Sequence, residues 1–199
     1  MKKFDRLPPE QRKEEIRSAA LELFREKGFS ATTMENIVKR VSLSKGGVYR
    51  LYPSTAAILS DLMLEGMRLR NAYYEARVRQ ETAEGRPLTL SFLVEMIGDS
   101  LTIYPEFSST YVEFLWEKRR NPELETVYRQ VCAASMAETS ELIRRYGADS
   151  LLSADPDTLE RLTELMNATV LSLHVLGLEK PFSAHRAELC EAVVRLLSH

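Results

Sequence analysis

TTMENIVKRVSLSKGGVYRLY, residues 32–52, reads as two short helices joined by a tight turn. The first opens on Thr32-Thr33-Met34-Glu35. Thr32 with Glu35 three residues on has the form of a capping box, in which two otherwise free N–H groups are satisfied reciprocally. Ile37, Val38 and Val41 supply the apolar face of that helix. In the turn Val41-Ser42-Leu43-Ser44, Leu43 can pack between the helices, and the Ser44 hydroxyl can cap the second one. Val48 and Leu51, three apart, face inward on the second helix. Lys45, Gly46, Gly47, Tyr49 and Arg50 are left on its outer side.

Adjacent glycines in a helix need a reason, since each costs about 1 kcal/mol relative to Ala. One reason is clearance: a helix without side chains there can come close to a phosphate-lined groove. The other is simply an imperfect helix. The basic and aromatic residues around Gly46-Gly47 favour clearance.

An amphipathic helix precedes this segment over residues 10–27. Ile16, Ala19, Ala20, Leu23 and Phe24 recur at i, i+3, i+4, i+7 and i+8. Gly28 reads as its C-terminal cap, with Phe29 folding back. Three helices before residue 53 suffice for a small helix-turn-helix core. Residues 1–52 hold twelve Lys and Arg against seven Asp and Glu, a net of +5. The whole chain holds 27 against 29, a net of −2, which leaves −7 for residues 53–199. A basic head on an acidic body is expected where only the head meets phosphate, although charged helix faces are also commonly just solvated.

The residues from 16 to 62 resemble the DNA-binding domain of TetR-family transcriptional regulators. The resemblance is carried by Ala19-Ala20-Leu21-Glu22-Leu23-Phe24, Lys27-Gly28-Phe29, Thr32-Thr33, Ile37, Val41-Ser42-Leu43-Ser44-Lys45-Gly46, Val48-Tyr49, Tyr52-Pro53-Ser54 and Ala57-Ile58-Leu59. It covers about a quarter of the chain, in register. It implies that Ser44, Lys45, Gly46 and Gly47 open a recognition helix in the major groove. It further implies phosphate contacts from Thr33, Ser42 and Tyr49, with a base or phosphate contact from Arg50. Lys45 is the candidate for a base edge, where Lys donates to guanine O6 and N7. Tyr52 and Thr55 complete the DNA-binding set. Thr55 stands where the family commonly carries Lys, so it offers a hydroxyl but no charge.

The remainder reads as helices throughout, with no competing strand alternation. A long helix starts after Pro53-Ser54 and breaks at Gly85-Arg86-Pro87, and Pro87 is placed to open the next. Tyr104-Pro105, Asn121-Pro122 and Asp155-Pro156 mark later boundaries, and residues 177–183 read as a connection. The expected fold is all-α: a three-helix helix-turn-helix head over residues 1–52 and a helical ligand-binding and dimerisation body over 53–199. Leu159, Leu162, Leu165, Met166, Val170 and Leu173 form one apolar stripe, and Leu171, Val175 and Leu178 another. A helix apolar on two sides must be covered on two sides. The resemblance implies a homodimer through the last two helices; a buried hairpin within one body is the alternative.

Ligand-site candidates in the body are Phe92, Met96, Tyr104, Phe107, Tyr111, Phe114, Trp116, Met136, Met166 and His174, each of which can equally be plain core. Glu95, Asp99 and Glu113 can attract a cation or sit in solvent. Cys132 and Cys190 lack metal spacing and read as small buried apolar residues, with a redox sensor as the alternative. His174, His185 and His199 lack metal spacing, and there is no phosphate-binding glycine loop, so neither a cofactor nor an enzyme is expected. The polar start MKKFDRLPPEQRKEE and the interrupted apolar run of residues 165–178 lead to the expectation of a cytoplasmic protein without a membrane span. The expected partners are double-stranded operator DNA, a second copy and an unknown small-molecule effector. The expected function is a repressor released by that effector. An activator, or a helical ligand-binding protein or enzyme whose head has lost DNA binding, stands as the alternative.

Overall fold

The computed structural model describes residues 8–103, 105–145 and 158–197, and among these every regular element is a helix. In chain order they are α1 (Pro9–Lys27), α2 (Met34–Val38), α3 (Lys45–Leu51), α4 (Thr55–Ala83), α5 (Leu90–Ile103), α6 (Pro105–Glu117) and α7 (Pro122–Arg145). After the undescribed stretch come α8 (Thr158–Leu176), α9 (Glu179–Ala184) and α10 (Arg186–Leu197). Among the described residues no helix is long and apolar enough to cross a membrane.

The expected stripe of α1 is its buried face: Ile16, Ala19, Ala20, Leu23 and Phe24 all lie inside. Gly28 ends the helix at φ +84°, and its N–H donates to the Phe24 carbonyl. A side chain at that φ would be strained, so glycine is required there. Phe29 then returns against Phe24, with ring centroids 5.3 Å apart.

Four details differ from the sequence reading. The cap of α2 is Thr33 with Asn36, not Thr32 with Glu35: the Thr33 hydroxyl accepts from the Asn36 N–H, and Asn36 Oδ1 accepts from the Thr33 N–H. Thr32 is buried and donates to the carbonyls of Gly28 and Leu23. Its hydroxyl therefore closes α1 and is unavailable to α2. Pro87 does not open α5; Thr89 does, its hydroxyl accepting from the Phe92 N–H at 3.2 Å. Residues 177–183 contain the start of a short helix, α9. The apolar cluster of the head also continues past residue 52. Ile16, Phe24, Ile37 and Val48 pack in one core with Ile58, Leu59 and Leu62 of α4, Phe114 of α6 and Leu124 of α7. Each such side chain contributes about 1.5–3 kcal/mol on full burial, so head and body share stabilisation.

α4 is the spine of the molecule. Its N-terminal half belongs to that core, and its C-terminal half packs with α5 through Tyr74, Val78, Leu88, Phe92, Leu93 and Met96. α7 lies along it. α10 lies on α5, where Gly98 allows the close approach: a Cβ there would be 3.3 Å from Cys190 Sγ.

Candidate nucleic-acid interface

The outer face of α3 is built by its own cap and by one anchor. The Ser44 hydroxyl accepts from the Gly47 N–H at 3.2 Å, and Val48 is fully buried. Holding both ends of the first turn fixes the rotation of the helix. Lys45, Gly46, Tyr49 and Arg50 then face solvent. Lys45 Nζ lies 3.4 Å from Glu35 of α2 and 5.8 Å from the centre of the Tyr49 ring. These are exposed contacts of small strength, so both side chains are free to turn to another partner. Arg50 has no ion pair or side-chain hydrogen bond among the described residues.

The two glycines separate. A Cβ on Gly47 would stand 3.3 Å from Ser44 Oγ and 3.5 Å from Leu43 Cδ2, so packing within the turn accounts for it. A Cβ on Gly46 would meet nothing within 4 Å, and its φ is not positive. Nothing among the described residues requires glycine at 46.

The remaining DNA candidates divide as well. Thr33 is exposed but serves α2 as its cap. Ser42 is exposed and already engaged: its hydroxyl donates to Glu15 Oε2 at 2.9 Å and its N–H to Glu15 Oε1. A carboxylate therefore stands where a phosphate oxygen was expected. Thr55 is half-buried at the start of α4, whose cap is Ser54, accepting from the Ala57 N–H at 3.1 Å. Tyr52 is a correction. It is only 4% exposed and lies in the head core. Its hydroxyl donates to Asp61, and Asp61 accepts from Arg17 at 3.1 Å. Arg17 is buried and also holds Glu10 at 3.2 Å and Glu14 at 2.5 Å. Burial, then the bond to Asp61, pushes the Tyr52 phenol well above its ordinary range. Burial alone would raise Asp61, but the bonds from Tyr52 and Arg17 outweigh it and hold the carboxyl below its usual value.

The head is tied to α6 by two carboxylates. The Phe29 N–H donates to Glu113 Oε2 at 2.7 Å, and the Ser30 hydroxyl donates to Glu117 Oε1 at 2.5 Å. Burial, partly offset by the Phe29 N–H, raises the Glu113 carboxyl above its usual range. Glu113 is thus a structural link and not a free attractor of cations. Asp99 accepts from Tyr73 at 2.8 Å and pairs with Arg186 of α10. Glu95 is exposed.

The body candidates fall in two clusters. Phe92 and Met96 are buried between α4 and α5, while Tyr111 and Phe114 stack at 6.3 Å beside Tyr128, on the side of the shared core. Met136 is half-buried on α7. Trp116 is 53% exposed, with Arg119 and Arg120 against its ring, so it lines no interior site. Tyr104 and the side chains of Phe107, Met166 and His174 lie outside the described residues. Burial raises both Cys132 and Cys190 thiols, which favours the unreactive protonated form. Sequence reasoning does not single out Arg70, Arg77 and Ser135, which are half-buried where α4 faces its neighbours, with the Nε atoms of both arginines fully covered. Their signal was phase: Arg70 and Arg77 fall at i and i+7 on the face that buries Tyr74.

Residues 16–62 match the family model described as bacterial regulatory proteins, tetR family. The uncharacterized HTH-type transcriptional regulator YfiR of Bacillus subtilis (strain 168) is 36% identical over 58 residues, 29% of this chain and 28% of that protein. The chain thus aligns with little more than a quarter of that curated relative's length. Along the whole chain the likeness is one of fold. Salmonella enterica GusR superposes with a TM-score of 0.68 at 23% identity, covering 100% of this chain and 97% of its own. Thermus thermophilus FadR, a TetR-family transcriptional repressor solved in complex with lauroyl-CoA, superposes with a TM-score of 0.63 at 26% identity, covering 94% and 93%. The match over residues 16–62 is thus to tetR-family regulatory proteins, and along the chain as a whole the shared feature is the fold of solved TetR-family regulators.

Proposed function

We propose that the chain is a homodimeric, ligand-responsive repressor that binds a near-palindromic operator and is released by a small molecule. The observation that carries the DNA-reading part is the outer face of α3. Lys45, Tyr49 and Arg50 flank a Gly46 that internal packing leaves unexplained. Close approach to a groove explains it.

The dimer reading is supported by α8 and its surroundings. Val175 and Leu176 are 71% and 65% exposed, and Leu165, Leu178 and Leu189 are also open. A second copy laid on this face would cover them and set two α3 helices into successive major grooves, about 34–36 Å apart. The effector reading draws support from FadR of Thermus thermophilus, solved with lauroyl-CoA. Release requires only that the effector bind one head arrangement better than the other. α6 is a natural carrier, since Tyr111 and Phe114 lie in the core shared with α1–α3 while Glu113 and Glu117 hold Phe29 and Ser30.

The test is selection of genomic fragments on the purified protein at about 150 mM salt, since binding to phosphates depends steeply on salt. Enrichment of one near-palindromic site, lost in Tyr49→Ala, is the expected result. The Glu15 carboxylate against Ser42 favours a second reading, in which the head no longer reads DNA; that reading predicts no enrichment. Val175→Glu with Leu176→Glu is expected to yield monomers in sedimentation and to abolish binding to a two-half-site duplex.

A further inference from the structure

Arg70, Tyr74 and Arg77 stand at i, i+4 and i+7 of α4, on the face turned into the body. The Nε atoms of Arg70 and Arg77 are both buried, and neither has a hydrogen-bond partner. Among the described residues neither guanidinium pairs with a carboxylate. Arg17 shows what this chain does with a buried guanidinium when the role is structural: three carboxylates surround it. A buried guanidinium N–H without a hydrogen-bond partner is costly and calls for a reason.

Arg70 is the better defined of the two. Its Nη2 donates to the Ser135 hydroxyl of α7 at 2.6 Å, and its guanidinium lies 5.8 Å from the centre of the Tyr74 ring. Nε–H and Nη2–H form one edge of a guanidinium, the fork that accepts a carboxylate through two parallel bonds. In this chain one prong of the fork holds a neutral hydroxyl, and the other, Nε–H, is buried without a hydrogen-bond partner. Glu138, one turn along α7 from Ser135, is engaged by Asn71 instead. Tyr111 and Cys132 lie within the reach of the Arg70 charge, and burial keeps both protonated, so neither supplies an anion.

We propose that the effector is a small organic carboxylate whose anionic group is held by the Nε–Nη2 edge of Arg70, with its apolar part against Tyr74 and Tyr111. Arg77, two turns further along the same face and 5.8 Å from the Phe92 ring, extends the positive potential toward α5. The inference rests on the body being an effector-binding domain, as proposed above.

The test pairs each of three acids, octanoate, 4-phenylbutanoate and 4-hydroxybenzoate, with its primary amide. Binding to the full chain is measured by calorimetry near neutral pH. At least one acid is expected to bind about tenfold or more tighter than its amide, the scale of a lost charged hydrogen-bond pair. Arg70→Gln, which keeps a neutral donor for Ser135, is expected to erase that preference, and Arg70→Lys to keep part of it. Thermal melts of each variant establish that it is folded. If no acid is preferred over its amide, or if the preference survives in Arg70→Gln, the proposal is overturned. Operator binding separates this from the parent reading. An acid held through Arg70 that leaves operator affinity unchanged keeps the site and removes the regulatory role. Release by neutral compounds alone removes the site and keeps the regulator.

Discussion

Gly46→Ala separates what α3 needs in order to fold from what it needs in order to bind. Gly46 is the second residue of α3, its φ is helical in sign, and a Cβ there would meet nothing within 4 Å. Alanine therefore adds no clash and removes the excess freedom of glycine from the unfolded chain. The gain is about 0.5–1 kcal/mol. For a chain of this size that corresponds to a rise in Tm of about 1–4 °C. If α3 lies in a groove with Gly46 against it, the added methyl holds the helix away and weakens every neighbouring contact. Operator affinity should then fall by about tenfold or more, equivalent to about 1.4 kcal/mol. The salt dependence should keep its slope, because no charge has changed. Gly47→Ala is the internal control. Its methyl would crowd the Ser44 hydroxyl that caps the same turn, so the helix gain is offset by a weakened cap and Tm should not rise. Thermal melts and fluorescence anisotropy on the selected duplex at about 150 mM salt measure both quantities. A more stable Gly46→Ala variant with unchanged affinity would refute the clearance argument. A less stable one would refute the packing argument.

Two further outcomes follow from the network around the head. Tyr52→Phe removes the hydroxyl that donates to Asp61 and should lower stability by about 1 kcal/mol in denaturant titration while leaving operator affinity unchanged; Tyr49→Phe should do the reverse. Glu113→Gln keeps an acceptor for the Phe29 N–H but removes a carboxyl whose value is raised in the folded state. A raised carboxyl contributes stability that is present at low pH and lost as pH rises through its folded value. The Tm of Glu113→Gln relative to the unsubstituted chain should therefore climb as pH rises from the ordinary glutamate range toward neutrality, and a constant difference would count against the burial of this charge. Asp61, held low, contributes in the opposite sense, losing stability as pH falls, and the comparison between variants cancels it.

Much of the head is readable along the chain because its determinants are local. The period of Ile16, Ala20, Leu23 and Phe24, the glycine after Lys27, and Ser44 three residues before Gly47 each act within one or two helical turns. Local geometry alone decides such features, and the all-helical class, the start of α7 at Asn121-Pro122 and the inward Val48 follow from it. Partner choice across the fold is another matter. Which of two adjacent threonines caps α2 depends on the carbonyls of Leu23 and Gly28, which claim Thr32. Whether Tyr52 faces DNA or the core depends on Asp61 and, through it, on an arginine 44 residues away from that aspartate. The link from Glu113 to Phe29 spans 84 positions and that from Arg70 to Ser135 spans 65. A polar side chain can satisfy itself with any suitable group within about 3 Å, so its role stays open until packing determines which group comes that close.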